Sequence, residues 1–365
     1  MGIFYRRVLK PILFQFSPDT VHDFFIKVGE AAGRCPVSRW LLGLFYNYKS
    51  KETPLSARSH LATDISKTVD GIKYRTPIML AAGFDPDGQL TQILPSLSFG
   101  GEEVGSVTAH PCEGNPPPRF MRLVRNSSIV VYKGLRNRGV DALIKKLSRN
   151  LSRRCPSFVL GISIARTNDQ AASVDVEAGI RDYVESFQKL NEAGIGDYYA
   201  INISCPNAYT GEDFTNPKLF AQLLPRLRAV PCTKPVYIKM PITIPWEQFV
   251  ELADIASANA VQGLIIGNLN KNYDELKHPE DAPKEFRGGL SGAPTFARSG
   301  ELIRKTRAKY GRRFTIIGVG GILTPDDAMA KFAAGADLIQ LISGMVFSGP
   351  GLIKDICERY AQERI

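Results

Sequence analysis

The chain has 365 residues, 44% hydrophobic and 22% charged, a composition that can bury a full core and is not that of a disordered protein. A net charge of +10 and a pI near 9.3 favour anionic partners such as a phosphate-bearing cofactor or an acidic lipid surface. Basic residues at Lys145 to Arg154 and Arg304 to Arg313 have no interleaved aromatics and read as solvated helix faces, so no nucleic-acid partner is expected. The six cysteines show no CxxC spacing and do not cluster with the four histidines. Neither a zinc site nor a disulfide framework is expected, so the prediction is no metal and a cytoplasmic, reducing setting.

Residues 1–50 read as helices. Ser17-Pro18 supplies an N-cap followed by proline at the first helical position. Val21, Phe24, Phe25 and Val28 then recur at i, i+3, i+4 and i+7, and Val37, Trp40, Leu41, Leu44 and Phe45 form a second stripe. Beside Arg6, Arg7 and Lys10, two such helices can lie in a membrane interface. A helical hairpin packed on the main domain is the alternative. No apolar run reaches the ~18 residues that a membrane span needs. Residues 51–76 read as a polar connector with a possible short hairpin around Asp70-Gly71.

From residue 77 the rhythm changes. Short apolar runs fall at Pro77–Ala82, Glu103–Thr108, Phe158–Ile164, Tyr198–Ser204, Val236–Met240, Gly263–Gly267, Thr315–Val319 and Leu338–Ile342. Amphipathic segments such as Val176–Ala193, Trp246–Ala258, Thr295–Tyr310 and Pro325–Ala334 lie between them. Eight such units over about 270 residues predict an α/β fold, a TIM (β/α)8 barrel over residues 77–365, behind a small N-terminal helical extension. A doubly wound sheet would show an early G-x-G-x-x-G turn, which is missing.

Such barrels work at the C-terminal ends of their strands. The fourth run ends in Asn202-Ile203-Ser204-Cys205-Pro206-Asn207, with two amides, a hydroxyl and a thiol. A core has little use for that set, because each buried polar group left unpaired costs about 1–3 kcal/mol. The plainer alternative is a capped strand end carrying a cysteine. The first run ends in Ala81-Ala82-Gly83-Phe84-Asp85, small residues that let a flat ring approach the backbone. The fifth carries Lys239, a cation that needs a partner, either a reduced flavin ring or an internal ion pair. Glycine-rich loops at Gly288–Gly292, Gly318–Gly321 and Ser343-Gly344 follow the last three runs, where this fold cradles phosphate. With Lys239 they point to FMN.

These motifs, together with Phe14–Asp19 and His22, Gly105–Thr108 and Gly114-Asn115-Pro116 to Arg119, resemble the dihydroorotate dehydrogenases nearly end to end. The similarity is to the membrane-associated, quinone-dependent class 2 branch. It implies an FMN-dependent oxidoreductase of pyrimidine biosynthesis. Ala82, Gly83, Thr108, Asn202 and Lys239 would line the flavin ring and its ribityl chain, while Gly292, Gly321, Ser343 and Gly344 would hold the phosphate. Asn207 and Asn268 would face a small-molecule substrate, and Cys205 would be the base that takes a proton while hydride passes to FMN. His22 and Arg119 would border the entrance for a quinone or other electron acceptor, and the chain would sit peripherally on a membrane.

The match is not uniform. Class 2 members generally use serine as base, whereas Cys205 follows the soluble class 1 branch. The exchange is chemically sound, since a thiol with a pKa of about 8.5 is the easier base. Residues Ala208 to Asp213 depart from the family's short Pro-Gly loop. Pro86 replaces a lysine, Val131 and Ser163 replace asparagines, and Leu269 replaces a Thr or Ser. Lys133 and Arg136 are the neighbouring cations that could restore the lost charge. The substrate therefore stays open between dihydroorotate and a related compound. An alkene reductase running the reverse chemistry and a flavin-binding, membrane-docked protein without catalysis are the other readings.

Overall fold

Proline placement sets the first helices. In the computed structural model, which describes residues 2–49, 63–150, 154–169, 175–205, 207–208, 213–285 and 288–363, the chain opens with α1 (Gly2–Phe4). A π turn over Tyr5–Leu9 leads into α2 (Lys10–Leu13). Then α3 (Pro18–Arg34) and α4 (Pro36–Tyr46) each begin on a proline, whose fixed φ suits the first turn and whose missing N–H costs nothing there. Ser17 precedes α3 as expected, but its hydroxyl makes no capping bond. Residues 51–62 of the expected connector lie outside the described residues. The hairpin around Asp70-Gly71 is present as β1 (Lys67–Val69) and β2 (Ile72–Tyr74), paired antiparallel.

Runs of aliphatic residues bounded by glycine and proline then become strands. They are β3 (Ile78–Leu80), β4 (Gly101–Val107), β5 (Phe120–Leu123), β6 (Ser128–Val131), β7 (Val159–Ile164), β8 (Tyr198–Asn202), β9 (Val236–Met240), β10 (Gly263–Ile266), β11 (Gly289–Leu290), β12 (Thr315–Val319) and β13 (Leu338–Leu341). Eight of them close into a barrel in the order β3-β4-β7-β8-β9-β10-β12-β13, with β13 pairing back onto β3. These are the eight predicted runs, all parallel. The outer ring is α5 (Val140–Asn150), α6 (Val176–Glu192), α7 (Pro217–Arg228), α8 (Trp246–Ala258), α9 (Phe296–Tyr310), α10 (Pro325–Ala333), α11 (Ser343–Ser348) and α12 (Gly351–Glu363). The fold is a TIM barrel with an N-terminal helical segment.

Barrel helices carry their own start signals. The Asp175 carboxylate accepts from Ala178 N–H at the head of α6, and Thr324 with Asp327 forms a capping box on α10. On its inner face α6 buries Ile180, Tyr183, Phe187 and Leu190. The basic face of α9 is less solvated than its composition predicts, because Arg307 donates to Asp337 at 2.6 Å.

A three-stranded antiparallel sheet, β11-β6-β5, lies outside the barrel and was not foreseen. Its strands are two to four residues long, and β11 pairs with β6 from 158 and 160 positions away in sequence, so no local periodicity marks it. Only the alternation of Ser128-Ile129-Val130-Val131 against Phe120-Met121-Arg122-Leu123 hints at a hairpin.

Candidate active site

The end of β8 delivers Asn202, Ser204, Cys205 and Asn207 at the upper rim of the barrel. Asn202 Nδ2 donates to Ser106 Oγ at 2.8 Å, and Ser106 and Ser163 share a hydrogen bond of 2.8 Å. Ser163, which stands where the resemblance expects asparagine, is thus tied into one hydroxyl-amide chain across β4, β7 and β8. Tyr183 on α6 donates to Asn202 C=O at 2.8 Å, and burial, with the nearby Cys205 among the lesser causes, pushes its phenol well up. Cys205 itself is half-buried. Pro206 and residues 209–212 of the divergent loop lie outside the described residues.

The two substrate asparagines differ. Asn268 is spent internally: Nδ2 donates to Ser204 O and Ser204 Oγ at 2.6 and 2.7 Å, and Oδ1 accepts from Leu269 N–H at 2.9 Å. Asn207 is held on one side only. Its Nδ2 donates to Val131 O at 2.8 Å, its own carbonyl accepts from Asn115 Nδ2 at 3.0 Å, and its buried Oδ1 has no partner among the described residues. An unpaired buried amide oxygen costs about 1–3 kcal/mol unless something binds it.

Lys239, on β9, has the internal partner that sequence left as the alternative. Its Nζ lies 3.6 Å from Glu103 Oε1, and both side chains are almost wholly buried. Glu103 Oε2 also accepts from Tyr198 Oη at 3.1 Å and Gln340 Nε2 at 2.8 Å. Glu103 is therefore a member of the site that sequence reasoning missed. The signal was a Glu-Glu pair inside a strand, where one carboxylate must face the barrel interior.

Room for a flat group exists at the end of β3. Ala82 is half-buried, and among the described residues no heavy atom beyond its chain neighbours lies within 4 Å of where a side chain on Gly83 would begin. Thr108 is fully buried and committed to its own loop, donating to His110 O at 2.6 Å and accepting from Asn137 Nδ2 at 2.8 Å. The three glycine-rich loops converge as expected. Ser291 Oγ and Ser343 Oγ are 2.9 Å apart, a side chain on Gly344 would strike Ile322 O, and one on Gly321 would strike Phe296. Gly292 has φ +78° and backs onto Ser127. These glycines are required by close packing of loop on loop, which brings their backbone groups together at one rim. Open space at one end and a glycine-lined cradle at the other fit a flat cofactor with a phosphate tail.

His22, on α3, reaches the same rim from the N-terminal side. Its Nε2–H donates to Phe84 O at 2.8 Å, and its ring packs edge-on to Phe84 at 5.1 Å and against Phe120 at 5.4 Å. Burial, and then the charge of Lys133, lower its pKa below the usual histidine value. Arg119 is turned to structural work: its backbone N–H meets Asp19 and its Nε donates to Asn115 O at 2.8 Å. Arg122 also faces the helical segment, donating to Phe16 O at 2.8 Å with its guanidinium 4.5 Å from the centre of the Phe14 ring.

A TIM barrel with polar residues gathered at its strand ends, reached from the helical segment by His22, has the architecture of a barrel enzyme. The comparisons with known proteins place it further. The family model described as Dihydroorotate dehydrogenase matches residues 64–363. The chain is 33% identical to the dihydroorotate dehydrogenase (quinone) of Acaryochloris marina, over 97% of this chain and 94% of that one. It is 32% identical to that of Christiangramia forsetii, over 98% and 99%. A crystal structure of DHODH from Eimeria tenella with ferulenol superposes with a TM-score of 0.75 at 23% identity, over 94% of this chain and 90% of that one, a likeness of fold. The chain belongs to the dihydroorotate dehydrogenase family, in the branch whose members carry the quinone name. The family is one of flavin-dependent oxidoreductases acting on a CH–CH bond.

Proposed function

We propose that this protein oxidises dihydroorotate to orotate with FMN as its flavin and passes the electrons to a quinone. The observation that carries the reading is the buried Asn207 Oδ1, unpartnered among the described residues and two positions from Cys205, at the strand-end rim that also carries the glycine-rich loops and Gly83.

FMN, when bound, supplies the ring that accepts hydride. Gly292, Gly321, Ser343 and Gly344 would hold its phosphate through backbone and hydroxyl groups, and Ala82, Gly83, Thr108, Asn202 and Lys239 would surround the rest. Cys205 takes the proton from the substrate carbon as the C–C single bond becomes double. Asn207 Oδ1 receives an N–H of the substrate, and Asn268 holds Ser204 and so the shape of the turn that carries Cys205. His22, neutral at pH 7, lines the way in from the helical segment with Phe84 and Phe120.

The same reading places α1 to α4 on a membrane surface. Phe24, Phe25, Val28, Val37, Trp40, Leu41, Leu44 and Phe45 are all exposed, and no described helix is long and apolar enough to cross a membrane. An amphipathic helix pair with basic neighbours binds at the interface, where a membrane quinone is dissolved.

Purified protein carrying its flavin should reduce a soluble quinone when dihydroorotate is added, and should sediment with vesicles containing anionic lipid. Flavin reduction by quinol but not by dihydroorotate would favour the alkene-reductase reading instead.

A further inference from the structure

The first barrel strand ends in Gly83-Phe84-Asp85-Pro86-Asp87, a turn with no cation of its own. One arrives from the hairpin next door. Lys133, just beyond β6, is half-buried and its Nζ donates to Gly83 O at 3.0 Å. The charges acting on it most strongly are Asp85 and Asp87, the two neighbours of Pro86, followed by Arg136 and Asp23. Among the described residues it has no carboxylate within ion-pair distance. Asp85 is a poor counter-ion, because burial raises its own pKa. Burial outweighs these carboxylates and lowers the Lys133 ammonium to about 8.

An ammonium has three N–H donors, and Gly83 takes one. Its Nζ also lies 5.8 Å from the centre of the Phe120 ring, and Gly83 itself is exposed with open space at its Cα. The backbone of Lys133 belongs to the same ledge as Asn207: Lys133 O accepts from Asn115 N–H, while Asn115 Nδ2 donates to Asn207 O. Among the described residues, a cation with no carboxylate at ion-pair distance and an amide oxygen with no hydrogen-bond partner therefore share one hydrogen-bonded wall.

We propose that Lys133 is the residue that receives the carboxylate of the substrate, supplying from β6 the positive charge that the turn after β3 lacks. This rests on the dihydroorotate reading above. It makes Lys133 a specificity-determining residue: it selects an anionic ring over a neutral one of the same shape, as a charge-assisted hydrogen bond does.

The test is equilibrium binding of orotate to the flavin-loaded protein, with Cys205→Ser as background so that the thiol does not titrate. Lys133→Met should weaken orotate by about 10- to 100-fold and leave uracil, which lacks the carboxylate, unchanged. Lys133→Arg should restore most of the affinity. Orotate binding should weaken as pH rises through about 8 with Lys133 in place, and that inflection should vanish in both variants. If the parent binds orotate and Lys133→Met binds it equally well, Lys133 is idle and the proposal falls while the functional reading stands. If uracil weakens as much as orotate, the lysine only shapes the site and the proposal falls too. A parent that binds no orotate overturns both.

Discussion

The helices α3 and α6 are the same length and equally periodic in sequence, yet they end differently. One face of α6 is sealed against the barrel, with Phe187 fully buried. The α3 helix buries only Ile26 and Gly33, leaves Phe24 56% exposed, and lies next to α4, which buries nothing fully. Periodicity thus specifies that a face exists, not what covers it. A barrel helix finds its cover in the chain itself, whereas α3 and α4 present theirs outward, beside the rim where His22 enters. The contrast divides the molecule into a sealed barrel and a helical segment with exposed apolar faces, the faces on which the membrane proposal rests.

The sharpest way to break this comparison is to truncate matched aromatics. Phe187→Ala should cost about 3–5 kcal/mol in denaturant unfolding, as large-to-small changes in a sealed core do. Phe24→Ala should stay within about 0.5 kcal/mol, while Phe24→Asp with Trp40→Asp should abolish vesicle sedimentation without lowering the melting temperature. If Phe24→Ala destabilises as much as Phe187→Ala, the exposed face is a folding surface and the membrane assignment fails.

Within the barrel, Glu103→Gln leaves Lys239 buried without its counter-ion, and about 3–5 kcal/mol of stability should be lost. Lys133→Met acts in the opposite sense. Because the folded-state pKa of Lys133 lies below its unfolded value, its charge costs stability fully below pH 8 and progressively less as pH rises towards the unfolded pKa. Removing it should raise stability at pH 7 by about 1–2 kcal/mol, measured by urea unfolding, and the gain should shrink above pH 8. A loss of stability would mean that its bond to Gly83 outweighs its burial.

The smallest effect concerns His22. Its lowered pKa means that the folded state binds fewer protons, so stability should fall as pH drops through the unfolded value of about 6.5. An NMR titration should put its midpoint below that value, and Lys133→Met should move it up by removing a nearby positive charge.

The barrel was legible because strands closed by parallel neighbours read as near-continuous apolar runs, and each of the eight sits in one. The site was legible where chemistry concentrates in one strand end, as in Asn202 to Asn207, and in the glycine-rich loops, which meet at one rim. What escaped depends on contacts far apart in sequence. Glu103 meets Lys239 only when β4 and β9 close into the same barrel, the β11-β6-β5 sheet joins segments too short to show a period, and Arg122 meets Phe16 from 106 positions away. Lys133 was visible only as a neighbour of altered positions. Its position on Gly83 is a fact of the fold.

The central claim is that Cys205 carries the proton during oxidation of dihydroorotate, and rapid mixing of the flavin-loaded protein with dihydroorotate tests it most directly. Flavin absorbance should bleach in the wild type, and Cys205→Ala should bleach about 100- to 10,000-fold more slowly, the range expected for loss of a general base. Bleaching at the wild-type rate in Cys205→Ala, or none in the wild type, would contradict the account.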